Sequence, residues 1–113
     1  MKNIKTITVN NKTLHIEIAD TFWRRFCGLM GRPALPENTG LLLAPCNTVH
    51  TFFMRFSLDL VFLHEEGYVI KILKNCRPWR VFPAVAGAFY VLELMAGKAD
   101  EVGLTEGTQV LSN

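Results

Sequence analysis

The stretch CNTVHTFFMRFSLDLVFL, Cys46 to Leu63, decides how the rest of the chain is read. It is mostly apolar and rich in β-branched and aromatic residues, the composition of strands rather than helices. Yet it also carries a thiol, an imidazole, a thioether, a guanidinium and a carboxylate. The pattern predicts two strands, Val49 to Met54 and Leu58 to Leu63, joined around Arg55-Phe56-Ser57. Strand side chains alternate faces, so His50, Phe52 and Met54 share one face, and Thr51, Phe53 and Arg55 the other. Cys46, His50 and Met54 would suit copper or zinc by chemical softness. On an extended chain, however, residues four apart sit ~13 Å from each other. Two ligands of one ion span only ~4 Å. No metal and no other cofactor is expected.

Working outward towards the N-terminus, Leu41-Leu42-Leu43 begins a short buried strand that Pro45-Cys46-Asn47 interrupts. Before it, RPALPENTG (Arg32 to Gly40) is a loop by composition. The run FWRRFCGLM places Phe22, Phe26 and Leu29 at helical spacing. Asp20 or Thr21 is its N-cap, and Gly31 with Pro33 ends it, giving one helix near residues 20–30. IKTITV and TLHIEIA alternate apolar and polar around the turn-rich triplet NNK, which predicts a β-hairpin.

Towards the C-terminus, Glu65-Glu66-Gly67 is a turn into the strand Tyr68 to Leu73. NCRPWRVFPAVAG (Asn75 to Gly87) is a long connection packed down by Trp79 and Phe82, and Ala88 to Met95 is another apolar strand. A short helical turn near 97–103 follows, then a turn and a final strand in TEGTQVL. Strands dominate and no strand–helix alternation is present. The fold class is therefore mostly β (α+β): a small antiparallel, barrel-like sheet with a helix at one end.

The chain of 113 residues fits a single domain, residues 1–113. At this size roughly 65% of the unfolded surface is buried, enough for a core without staples. An apolar fraction of 50% exceeds that of disordered chains, and a net charge of +2 gives no broad positive field. Nucleic acid is thus not an expected partner. The three cysteines, Cys27, Cys46 and Cys76, are odd in number and lack CxxC spacing, so reduced thiols are expected. MKNIKTITVNN has no apolar signal-peptide core. The apolar run Val81 to Gly97 is broken by Pro83, two glycines and Glu93, so no membrane span is expected. These features point to the cytoplasm.

Asp59 in SLDLVFL and Glu93 in VLELM stand where strands should be buried. A lone buried carboxylate costs several kcal/mol, so each calls for a cation or several hydrogen-bond donors. Arg25, Arg55 and His50 are available partners. The economical reading makes Arg25, Asp59 and Glu93 structural. The sharper one makes the two carboxylates an acid/base pair. A cysteine activated by His50, His15 or His64 is a further catalytic option, but no local motif supports it. Basic and aromatic residues interleave in WRRF and CRPWRVF. Such patches hold phosphates or carboxylates, although arginines in a proline-bounded loop are often simply solvated.

The segments RRFCGLMGRPALPENTGLLL, HTFFMRFSLDLVFLHEEGYVIKI and AFYVLELMAGKADEVGLTEGTQV, in that order, resemble the domain of unknown function family 192, also called uncharacterised protein family 0127. The resemblance runs from about Leu14 to Leu111. It implies a compact β-rich domain of bacteria and archaea with no established activity. It also implies that Arg25, Gly28, Leu29, Met30, Met54, Asp59, Phe62, Glu93, Gly97 and Gly107 hold the family's pattern positions. Many members read Trp-Met-Lys-Asn before Pro-Leu-Asp, where this chain has Phe53-Met54-Arg55-Phe56 and Ser57-Leu58-Asp59.

The favoured function is a non-catalytic binding module for a small anionic ligand or a peptide, with a pocket lined by His50, Met54, Arg55 and Trp79. The alternatives are a hydrolase-type enzyme using the buried carboxylates or a Cys/His pair, and a protein-interaction domain with an exposed apolar patch.

Overall fold

A computed structural model describes residues 3–112. Strands β1 (Asn3–Val9) and β2 (Lys12–Ala19) form a hairpin turned at Asn10 and Asn11. Both asparagines take positive φ, 51° and 65°, as a two-residue hairpin turn of matching twist demands. Helix α1 (Phe22–Cys27) starts where the Thr21 hydroxyl accepts from the Arg24 amide at 3.2 Å, and it ends at Gly28, φ 49°. The remaining elements are β3 (Thr39–Leu43), β4 (Val49–His50), β5 (Leu58–His64), β6 (Val69–Cys76), β7 (Val81–Phe82), β8 (Ala88–Met95) and α2 (Lys98–Glu101).

Six strands make one sheet in the order β1-β2-β3-β8-β5-β6, and β4 pairs with β7 in a separate two-residue ladder. The mostly β class holds, but the sheet is open rather than a closed barrel. It is also mixed: β2 and β3 run parallel, because the segment with α1 carries the chain back to the starting edge. The final strand expected in TEGTQVL is reduced to a single bridge, Tyr68 to Gln109.

The central strands are continuous apolar runs because both faces are covered. Leu42, Val61, Leu63, Leu92 and Leu94 pack against Leu14, Ile16 and the chain from Ala99 to Leu111. Leu41, Leu43, Leu60, Phe62 and Val91 pack on the opposite face against Leu29, Leu35, Val49, Met54 and Cys76. Helix α1 itself buries none of its residues; its anchor is Leu29, just beyond its end. Phe22 and Phe26, spaced as if for a core face, stand exposed instead.

The stretch after His50 departs most from expectation. Only Val49 and His50 are strand; from Thr51 the chain turns, with the Met54 amide donating to the Thr51 carbonyl at 3.3 Å and Phe53 at φ 61°. The cause is tertiary. The buried Thr51 hydroxyl donates to the Arg77 carbonyl at 2.7 Å and accepts from the Arg80 amide at 2.9 Å. These bonds tie the turn to the loop 77–80, overriding the local strand preference of TVHTFF.

The C-terminal segment is latched at Gly67, whose carbonyl accepts from the amides of Val110 (2.9 Å) and Leu111 (3.1 Å). Gly67 has φ 93°, and a Cβ there would lie 2.1 Å from the Leu111 carbonyl oxygen. Gly67→Ala therefore must push the latch away and strain the turn. The expected cost is on the order of 3 kcal/mol, read as a lower urea midpoint with an unchanged m-value.

Candidate functional site

The turn at Thr51–Met54 brings together residues that an extended strand would have kept apart. His50 and Met54 line one small cavity of about 40 Å³, together with Arg25, Phe26, Gly28 and Glu93. The premise that separated His50 from Met54 thus fails. Cys46 does not line the cavity with them, and among the described residues no group of three His, Cys, Asp or Glu side chains is placed to hold a metal ion.

Glu93 lines this cavity. Its strand neighbours are Leu41 and Leu60, and it is only 2% exposed. Its Oε1 atom is buried without a hydrogen-bond partner. Burial pushes its carboxyl up to about 8, and only the Arg32 guanidinium opposes that shift. Arg32 is itself held by Glu17, with Nη1 to Oε2 at 3.0 Å and Nη2 to Oε1 at 3.1 Å. Arg25 donates from Nη1 to the Asp20 carbonyl at 2.9 Å. Gly28 completes the wall; a Cβ at that position would come within 3.3 Å of Glu93 Oε1. A neutral carboxyl that lines a cavity can donate one hydrogen bond as well as accept others.

Asp59 is placed quite differently. Its Oδ1 accepts from the Asn75 amide at 2.9 Å, and its Oδ2 from the amides of Gly97 and Ala99, both at 3.0 Å. It points to the sheet face opposite Glu93, as the pairings Asp59 with Leu94 and Leu60 with Glu93 require. The two carboxyls do not form an acid/base pair.

His50 is held at both ring nitrogens. Nδ1 accepts from the Phe52 amide at 3.2 Å, which makes Nε2 the donor to the Phe26 carbonyl at 3.0 Å. No cysteine contacts it through these bonds. Burial pushes the Cys46 thiol up, its Sγ donates to the Thr48 carbonyl at 3.0 Å, and burial pushes Cys76 up to about 11. Both therefore remain thiols at neutral pH, a poor state for a nucleophile.

Outside the cavity mouth runs a row of rings. Phe26 lies 5.4 Å from His50, His50 5.2 Å from Phe52, Phe52 6.1 Å from Trp79, and Trp79 4.7 Å from Phe53. Phe22 and Trp23 extend it along α1, at 6.4 and 5.9 Å from Phe26. Phe22, Trp23, Phe53 and Trp79 are 74, 68, 58 and 55% exposed, far more than bulky rings usually are. Phe53 and Trp79 both adopt positive φ, 61° and 64°. That conformation is strained for a bulky side chain and clusters at functional sites.

Charge is segregated along the chain. All six arginines, Arg24, Arg25, Arg32, Arg55, Arg77 and Arg80, lie in the segments 21–33, 44–57 and 75–89, which contain no Asp or Glu. The six lysines are all elsewhere. Arg55 stands exposed on the turn just after Met54. Of the four residues expected to line a pocket, the structure joins His50 and Met54 in the cavity and links Trp79 to them through Phe52.

A family model for DUF192, described as uncharacterized ACR, matches residues 5–112. The chain belongs to the DUF192 family. A UPF0127 protein of Thermococcus sibiricus is 36% identical over 106 residues, covering 87% of this chain and 66% of the relative. One from Pyrococcus abyssi is 33% identical over 100 residues, covering 84% of this chain and 83% of the relative. The DUF192 domain thus spans just under two thirds of the Thermococcus protein. A crystal structure of a protein of unknown function from Novosphingobium aromaticivorans matches with a TM-score of 0.83 at 25% identity, covering 97% of this chain and 84% of that one. No described helix of this DUF192 domain is long and apolar enough to cross a membrane.

Thr51, Phe52, Phe53 and Gly28 were not singled out from the sequence as parts of a site. The basic–aromatic runs WRRF and CRPWRVF were the available signal. Nothing in either run reveals that His50 and Phe52 link them in the folded chain.

Proposed function

We propose that this DUF192 domain is a non-catalytic binding module that takes a small anionic ligand or an acidic peptide on its aromatic–arginine end. The observation that carries this reading is the row of exposed rings from Phe22 to Phe53, with arginines interleaved along the chain in segments that hold no acidic side chain. Rings offer stacking area at little entropic cost, and guanidinium groups pair with carboxylate or phosphate through two parallel hydrogen bonds. The strained backbone at Phe53 and Trp79 supports a purpose for holding those rings outward. His50, Met54, Arg55 and Trp79 are the contact residues of this reading, with Phe52 and Phe53 added by the geometry. Three free cysteines accord with a cytoplasmic, reducing setting.

Both tryptophans of the chain, Trp23 and Trp79, lie on this surface, so their fluorescence reports on it. Titration with inorganic phosphate or a glutamate- and phenylalanine-rich peptide should change that fluorescence, more weakly as salt rises. The double variant Phe53→Ala, Trp79→Ala should lose at least about tenfold in peptide affinity (~1.4 kcal/mol) with little change in urea midpoint. Amide shifts confined to the opposite end, or unaltered affinity in the double variant, would refute the assignment.

A further inference from the structure

We propose that the cavity between α1 and β4 is a seat for a carboxylate group, with the Glu93 carboxyl donating to it and the Arg25 guanidinium beside it. This inference rests on the anion-binding reading above and names the group that the site receives.

The physical argument starts from the orphaned oxygen. A buried polar atom without a partner costs about 1–3 kcal/mol, and native chains leave few of them. Glu93 Oε1 is such an atom, and it belongs to a side chain that lines a cavity. The volume of about 40 Å³ is small. One water needs roughly 10–15 Å³ on this measure, so the space suits a group of about three non-hydrogen atoms, the size of a carboxylate.

The surrounding charge selects among groups of that size. The charged or titratable side chains facing Glu93 are Arg25 and Cys27 from α1, Arg32 from the following loop, Cys46 from the segment after β3, and His50 from β4. Across the sheet, Leu41 and Leu60 carry no charge. Arg32 is paired with Glu17, which leaves Arg25 as the permanent charge lining the cavity, and it would repel an ammonium group. A neutral hydroxyl would gain no charge pairing from Arg25, whose Nη1 already donates to the Asp20 carbonyl. A carboxylate gains from both Arg25 and the Glu93 proton, which is shared as O–H···O⁻ without any covalent change. Phe26 and His50 belong both to the cavity wall and to the ring row, so the ligand's apolar body would lie on the rings while its carboxylate enters the seat.

Because Glu93 keeps its proton up to about 8, carboxylate affinity should be flat from pH 6 to 7.5 and then fall about tenfold per pH unit. The test follows the side-chain carboxyl carbon of Glu93 by ¹³C NMR in the full chain, titrated with acetate, methylammonium and methanol between pH 6 and 10. Acetate should move that resonance, and the other two should not. Glu93→Gln keeps a donor that does not titrate, so it should bind acetate with no fall above pH 8. An unmoved carboxyl carbon in the native chain, equal or better binding of methylammonium or methanol, or the same fall in Glu93→Gln would each overturn the seat. Phosphate titrated in the same sample and read at Trp23 and Trp79 separates the two readings. A tryptophan response with Glu93 silent removes the seat alone, and silence at both removes both.

Discussion

Raising the pH from 5 to 9 should weaken the fold by on the order of 4 kcal/mol through Glu93 alone, and Glu93→Gln should remove most of that loss. The unfolded chain ionises this carboxyl near its ordinary 4.5, whereas the folded chain keeps the proton to about 8. Between those values the folded state holds more protons than the unfolded state, so stability falls as pH rises. The contribution is fully present below about 4.5, declines through neutral pH, and levels off above about 8. Cys76, pushed up to about 11, begins to contribute only at the top of this window, where the unfolded thiol starts to ionise. Urea midpoints measured at unit pH steps on both proteins provide the check. Glu93→Gln should be close to the native chain at pH 5 and clearly more stable at pH 8. Parallel pH profiles in the two proteins would show that the carboxyl ionises freely in the folded state, and the description of Glu93 as an orphaned neutral acid would fall.

Asp59→Ala should cost about as much, on the order of 4 kcal/mol, for the opposite reason. Glu93 lacks a partner at Oε1, while Asp59 has three: the amides of Asn75, Gly97 and Ala99. Through them one side chain on β5 fixes the end of β6 and the entry to α2. Alanine would strand three buried or half-buried donors, each costing about 1–3 kcal/mol, with losses that are less than additive. Asp59→Asn keeps one oxygen and should fall between the two. Hydrogen exchange should locate the damage, with the Gly97 and Ala99 amides exchanging faster than the centre of β8. A loss below about 1 kcal/mol would mean that water replaces the carboxylate there, and the staple would be unimportant.

The contrast between these two acids shows how far the sequence could be read. That each needed an explanation was visible, because a charge inside SLDLVFL or VLELM violates the pattern around it. Which of them was satisfied was not visible. The donors to Asp59 come from 16 to 40 residues away along the chain, and no local rule connects them. The same holds for the site. His50 and Met54 were picked out by chemical type, but their meeting depends on Thr51 being captured by the backbone of Arg77 and Arg80. A strand preference in TVHTFF is worth only a fraction of a kcal/mol per residue and cannot stand against those buried bonds.

The sequence by itself determined whatever depends on neighbours along the chain. The asparagine turn of the β1–β2 hairpin, the Thr21 cap of α1, and the apolar strands β3, β5 and β8 all follow from backbone sterics, capping and hydrophobic runs a few residues long. Tertiary structure alone decided the parallel seating of β2 on β3, the opposite faces taken by Asp59 and Glu93, and the assembly of seven rings from three distant segments. Those outcomes depend on strand register and long-range hydrogen bonds, whose energies exist only once residues far apart in the chain are brought into contact.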